Sequence, residues 1–195
     1  MDTSKADPWQ TGFRAWWARR PLSNFQLMLL TLLNTEGMTY TQLDVGLAWV
    51  LHVPGLRWLV RRRMSLVAGR ALVMALPCGK PHEVALASLR LAECYLLCHD
   101  TEQALRQTFQ ALVRADAIVP ATPLTEGELR DAHRRLAMVL RHAAVVYYRA
   151  GDRYSLQQAR GVIGRAIAAA IDGDAADQLR KAQTLSGRIN SALRT

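Results

Sequence analysis

Apolar residues recur along this chain at spacings of three and four, and no stretch keeps the period-two alternation of a half-buried strand. Turn residues cut the pattern into segments of helical length. A short amphipathic helix is expected over Trp9–Arg20, stopped by Pro21. Ser23 and Gln26 have capping-box spacing ahead of an apolar helix over Phe25–Asn34, and a third helix is expected over Thr39–His52. Val53-Pro54-Gly55 breaks the chain before a helix over Leu56–Leu76, with a bend expected at Gly69. Beyond the Pro77–Pro81 linker come helices over His82–Leu97 and Thr101–Ala115, the second capped by Asp100. Ala117–Pro123, with two prolines, is a loop. Thr125 and Glu128 form another capping-box pair that opens a long helix to Ala150. Gly151-Asp152 and Gly173-Asp174 then separate two final helices. The expectation is an all-α protein of about nine helices. Its short loops favour antiparallel neighbours, with an amino-terminal helical domain at 1–76 and a second at 82–195.

The segment Ala85–Asp116, ALASLRLAECYLLCHDTEQALRQTFQALVRAD, resembles a tetratricopeptide repeat. Leu91, Ala92 and Tyr95 stand in its first helix, Asp100 at the turn, and Ala104, Leu105, Ala111 and Leu112 in the second. The small residues at 92, 104 and 111 let two helices approach, and Tyr95 and Leu91 fill the space between them. His99 replaces the usual turn glycine, Phe109 is one place off the usual aromatic, and no proline ends the unit. A looser match spans 137–170, with Tyr147, Gly151 and Asp152 at the corresponding places. Ala159, Ile163 and Ala166 fall into phase only after about three extra residues. Tyr95 and Tyr147 are 52 residues apart, against a family period of about 34, and the loop around Pro120 and Pro123 absorbs the difference. The last helix would be a polar cap on the stack.

The resemblance implies a groove, lined by the first helix of each unit, that binds another protein. Leu89, Glu93, Leu96 and Leu97 would face it from one unit, and Arg141, Val145, Tyr148 and Arg149 from the other. Arginines there suit a partner's carboxylates, and tyrosine gives a rigid amphipathic contact. Small bacterial proteins similar to this family often act as secretion chaperones or assembly scaffolds. The implied function is therefore that of an adaptor or chaperone-like scaffold.

Composition adds a second possibility. The chain has 195 residues, 25 of them basic and 16 acidic, for a formal charge of +9. Half of it is hydrophobic, enough for a core without disulfides or metals, and disorder as the main state is excluded. Residues 1–80 carry 10 basic and 4 acidic side chains, and nearly all the positive charge is arginine. Residues 25–64 loosely resemble the helix-turn-helix core of winged-helix regulators. In those proteins the helix after the turn enters the major groove, which would set Arg57, Arg61, Arg62 and Arg63 against DNA. Against it stand the apolar Leu56, Trp58, Leu59 and Val60 and the lack of a wing hairpin. DNA is thus the alternative partner. Trp9, Phe13, Trp16 and Trp17 share one helical face, suited to covering the protein's own core, docking a partner or lying at a membrane interface.

No catalytic constellation emerges. Cys94, Cys98 and His99, with Cys78 and His82 upstream, lack the pairwise spacing of zinc motifs. Gly79-Lys80 has no glycine-rich lead-in and is followed by proline, so no phosphate loop is expected. The five histidines form no motif. Neither a metal nor a cofactor is expected, nor enzyme activity. Three cysteines without a framework suit a reducing, cytoplasmic compartment. No run of about 18 apolar residues suggests a membrane span, and Met1–Gln10 lacks the apolar run of a secretory signal.

Overall fold

The computed structural model describes residues 42, 45–47, 50, 54–120 and 124–195; at 54–64 and at Cys78 it describes the backbone alone. The expected helices Trp9–Arg20 and Phe25–Asn34, the aromatic stripe Trp9–Trp17 and most of the helix-turn-helix match lie outside these residues. The described residues of the third expected helix are helical, and Leu47 and Val50 are fully buried.

Among the described residues the fold is all-α, without a strand. From residue 54 onward it comprises six α-helices and one short 3-10 helix, seven helical elements against about nine expected of the whole chain. They are α1 (Pro54–Ala75), the 3-10 turn Leu76–Cys78, α2 (Pro81–Leu97), α3 (Thr101–Ala115), α4 (Glu126–Ala150), α5 (Arg153–Asp172) and α6 (Ala176–Ala192). Helix α1 runs through Gly69 and starts at Pro54, where proline's missing N–H costs nothing.

Local chemistry sets most boundaries. Asp100 Oδ1 accepts from the Gln103 N–H at 3.1 Å and caps α3. Thr125 and Glu128 form a complete capping box on α4: the Glu128 N–H donates to Thr125 Oγ1 at 3.4 Å, and the Thr125 N–H donates to Glu128 Oε2 at 2.9 Å. Asp152 Oδ1 caps α5 by accepting from the Ser155 N–H at 2.9 Å. The turn after α2 is closed by His99 at φ 62°, so a histidine holds the left-handed conformation that glycine usually fills.

Each helix packs on its successor, and in addition α2 packs on α4 and α4 on α6. Small residues make these approaches close. Ala85, Ala92, Ala104, Ala111, Ala143, Ala144, Ala159 and Ala166 are fully buried in one cluster with Leu89, Leu140, Val146, Tyr147 and Ile163. Ser88 and Thr108, both buried, donate to the carbonyls of Val84 and Ala104, so neither hydroxyl is left unsatisfied. A smaller cluster of Ala75, Val84 and Ala87, with Leu72 against it, joins α1 to α2 across the Pro77–Pro81 connection.

Gly173 is more than a turn residue. Its φ is −86°, and Asp174 carries the positive φ of that turn, at 49°. A Cβ at 173 would stand 2.8 Å from the Arg134 backbone nitrogen and 3.1 Å from the Arg130 carbonyl oxygen. The Arg134 Nε–H donates to the Gly173 carbonyl at 2.7 Å. The end of α5 therefore lies directly against the first turns of α4. His133 is there too, with Nδ1 3.7 Å from Asp172 Oδ2, beyond hydrogen-bond reach.

Candidate protein-binding face

Glu93, Arg141, Val145, Tyr148 and Arg149 belong to α2 and α4, which pack on one another. Arg149 Nη1 donates to Glu93 Oε1 at 3.0 Å, and Arg90 Nη1 donates to Glu93 Oε2 at 3.1 Å. Glu93 thus has a cation on each carboxylate oxygen, and its side chain is only 14% exposed. On the other side of α4, Arg141 Nε donates to Gln178 Oε1 on α6 at 3.1 Å. Burial pulls the Arg141 guanidinium below the ordinary arginine range, and the nearby Asp177 opposes that shift.

These contacts reassign several residues. Leu89 is 1% exposed and sits in the main core cluster, so its side chain presents no surface to a partner. Glu93, Arg149 and Arg141 have internal partners and tie α2, α4 and α6 into one layer. Val145 and Tyr148 rest half-buried on the core. Leu96 and Leu97 are half-buried as well.

Tyr148 also lines a depression of about 540 Å³ between α4 and α6, together with Thr184, Gly187, Arg188, Ser191 and Ala192. Arg188 is exposed and has no acidic partner among the described residues. The Thr184 and Ser191 hydroxyls donate to the Arg180 and Gly187 carbonyls, which leaves their oxygens as acceptors toward the depression. A second depression, of about 390 Å³, lies further toward the start of both helices, between Arg134, Arg135 and Met138 on α4 and Ala175–Gln178. The α6 residues were not singled out from the sequence, which marked that helix only as a polar cap. The spacing of Thr184, Arg188 and Ser191, an exposed strip beside the buried Leu185 and Ile189, is the signal that places them on one outer face.

The other candidate positions do not join this face. The Arg57, Arg61, Arg62 and Arg63 side chains lie outside the described residues, on the first half of α1. Cys94 is fully buried, and desolvation pushes its thiol far up from the ordinary range; Cys98 is half-buried. His82, at the start of α2, is held below the usual histidine range by burial and by the Arg135 charge on α4. Among the described residues no group of three His, Cys, Asp or Glu side chains could hold a metal ion. No described helix is long and apolar enough to cross a membrane. No protein-family model, characterised protein or solved structure matches the chain.

Proposed function

We propose that this chain is a non-catalytic protein–protein interaction module, an adaptor or chaperone-like scaffold working in the cytoplasm. Its tetratricopeptide-like, antiparallel helix pairs hold a partner protein along the face of α2, α4 and α6. One observation carries the reading: these alternate helices are joined laterally in the same order along their lengths. The charge of Arg135 acts on His82, Glu93 bonds Arg149, Arg141 bonds Gln178, and Tyr148 meets the stretch 184–192. The contacts advance together toward the carboxy-terminal ends of the three helices, the relation that first helices have in stacked helix pairs. The Tyr148–Arg188 depression offers such a partner an apolar wall and an unpaired cation, suited to an acidic residue next to an apolar one.

Arg188→Glu with Ser191→Glu is the informative variant, because both side chains are exposed, whereas Tyr148 rests on the core and Arg141 and Arg149 also hold the layer together. Affinity capture of nuclease-treated native extract, followed by titration of the purified partner, is the test. The expected result is one protein retained by the parent chain and lost by the variant, with unchanged thermal melting. Equal retention by both would overturn the site.

A further inference from the structure

We propose that the outward face of α5 binds the phosphate backbone of double-stranded nucleic acid. This surface is separate from the partner face, and the proposal stands on its own evidence. Arg153, Gln157, Arg160 and Gly164 fall within about 60° of one another around the helix, with Tyr154, Gly161 and Arg165 along one flank, and all are exposed. No carboxylate interrupts this face between Asp152 and Asp172. The Asp152 carboxylate at one end is occupied by Ser155, and Asp172 at the other lies beside His133 on α4. Arg165 reaches Asp116 at 2.5 Å, on the turn after α3, whereas Arg153 and Arg160 have no acidic partner among the described residues. The result is a run of cations along about 18 Å of helix, two of them uncompensated.

A regularly charged polyanion complements such a run better than an isolated carboxylate does. Duplex DNA carries a charge about every 1.7 Å along its axis, and its major groove, about 12 Å wide, admits a helix. The surface beyond Arg160 is low. Gly161 and Gly164 are exposed, with nothing within 4 Å of the place a Cβ would take, so a sugar–phosphate chain can lie close to the helix backbone. Tyr154, 66% exposed, is the one aromatic on this face. That is too few for the stacking platform single strands need, so a duplex is the fitting form.

The test uses the full chain and a fluorescein-labelled 20-base-pair DNA duplex of arbitrary sequence, with anisotropy followed across a salt series. Binding of the parent chain should weaken steeply with salt. Arg153→Gln with Arg160→Gln should weaken it about tenfold at 50 mM salt and lower the salt slope by about two. Arg106→Gln with Arg180→Gln removes equal charge elsewhere, from arginines paired to Glu102 and Asp177, and should change affinity less than about twofold. Four results would overturn the proposal. These are no duplex binding at 50 mM salt, equal losses for the two double variants, loss confined to R61Q/R62Q/R63Q on α1, or an R153Q/R160Q variant that loses poly-glutamate binding while its duplex affinity is unmoved.

Discussion

Arg149 and Glu93 are 56 residues apart in the chain, yet the Arg149 guanidinium donates to the Glu93 carboxylate at 3.0 Å. The pair is asymmetric: the arginine side chain is 51% exposed and the glutamate 14%. Arg90, only 13% exposed, donates to the same carboxylate. Removing Glu93 takes the carboxylate from two arginines at once, one of them nearly buried, whereas removing Arg149 leaves Glu93 one partner. Glu93→Gln should destabilise the fold by about 1–3 kcal/mol, and Arg149→Ala by less than about 1 kcal/mol. Urea unfolding of the two variants checks the order.

Glycine-to-alanine changes should split by position. At Gly173 the new methyl group meets backbone atoms of α4 at 2.8 and 3.1 Å, which a rotamer change cannot relieve. Gly173→Ala should cost about 2 kcal/mol or more and lower the melting temperature. Gly161→Ala and Gly187→Ala put a methyl group into open space within a helix and should each stabilise by about 0.5–1 kcal/mol. Calorimetry of the three variants reads the signs directly.

Removal of the α4 cap should show itself in both stability and pH dependence. Thr125→Ala should cost about 1 kcal/mol. The hydrogen bonds from Thr125 hold the Glu128 carboxyl below the usual glutamate range. Its contribution is therefore full above the unfolded-state pKa and is lost as pH falls through the lower folded value. Asp152, held down by Ser155, and Asp177, held down by Lys181, act in the same direction. Stability should fall on acidification below about pH 4.5, with a shallower fall in the Thr125 variant. Melting temperatures from pH 7 to pH 3 test this.

The cysteines on α2 should differ in reactivity. Cys94 is fully buried with its thiolate strongly disfavoured, so iodoacetamide should not modify it in the native state. Cys98, half-buried at the end of the helix, should react first. Peptide mapping after brief alkylation separates the two, and modification of Cys94 in folded protein would contradict the burial described here.

What the sequence made legible was local. Asp100, Thr125 with Glu128, Asp152 and Gly151 announce helix ends because their effects reach only three or four residues along the chain. Turn chemistry alone could not say that Gly173 is required by the backbone of residues 130 and 134. The Glu93–Arg149 and Arg141–Gln178 bonds likewise depend on which helices become neighbours. Leu89 shows the limit most clearly. Periodicity groups it with Glu93 on one side of α2, but α2 is flanked by α1, α3 and α4 at once, which leaves only a narrow strip open. Leu89 falls under cover while Glu93 stays at the edge. Arg188 escaped notice for the opposite reason, since a polar face is equally what solvent requires.

The seams between the described helices differ in how they are held together. Helices α4 and α5 meet through alanines and a glycine with no room for a methyl group, so their spacing is fixed by hard contact. Laterally, α2, α4 and α6 are bridged by long side chains, Arg149 to Glu93 and Arg141 to Gln178. A long side chain can change rotamer as the helices it bridges shift, whereas backbone in contact cannot be compressed. The α4–α5 seam is thus the rigid spine of the described helices, and the α2–α4 and α4–α6 seams, which add side-chain bridges to their packing, have more ways to adjust.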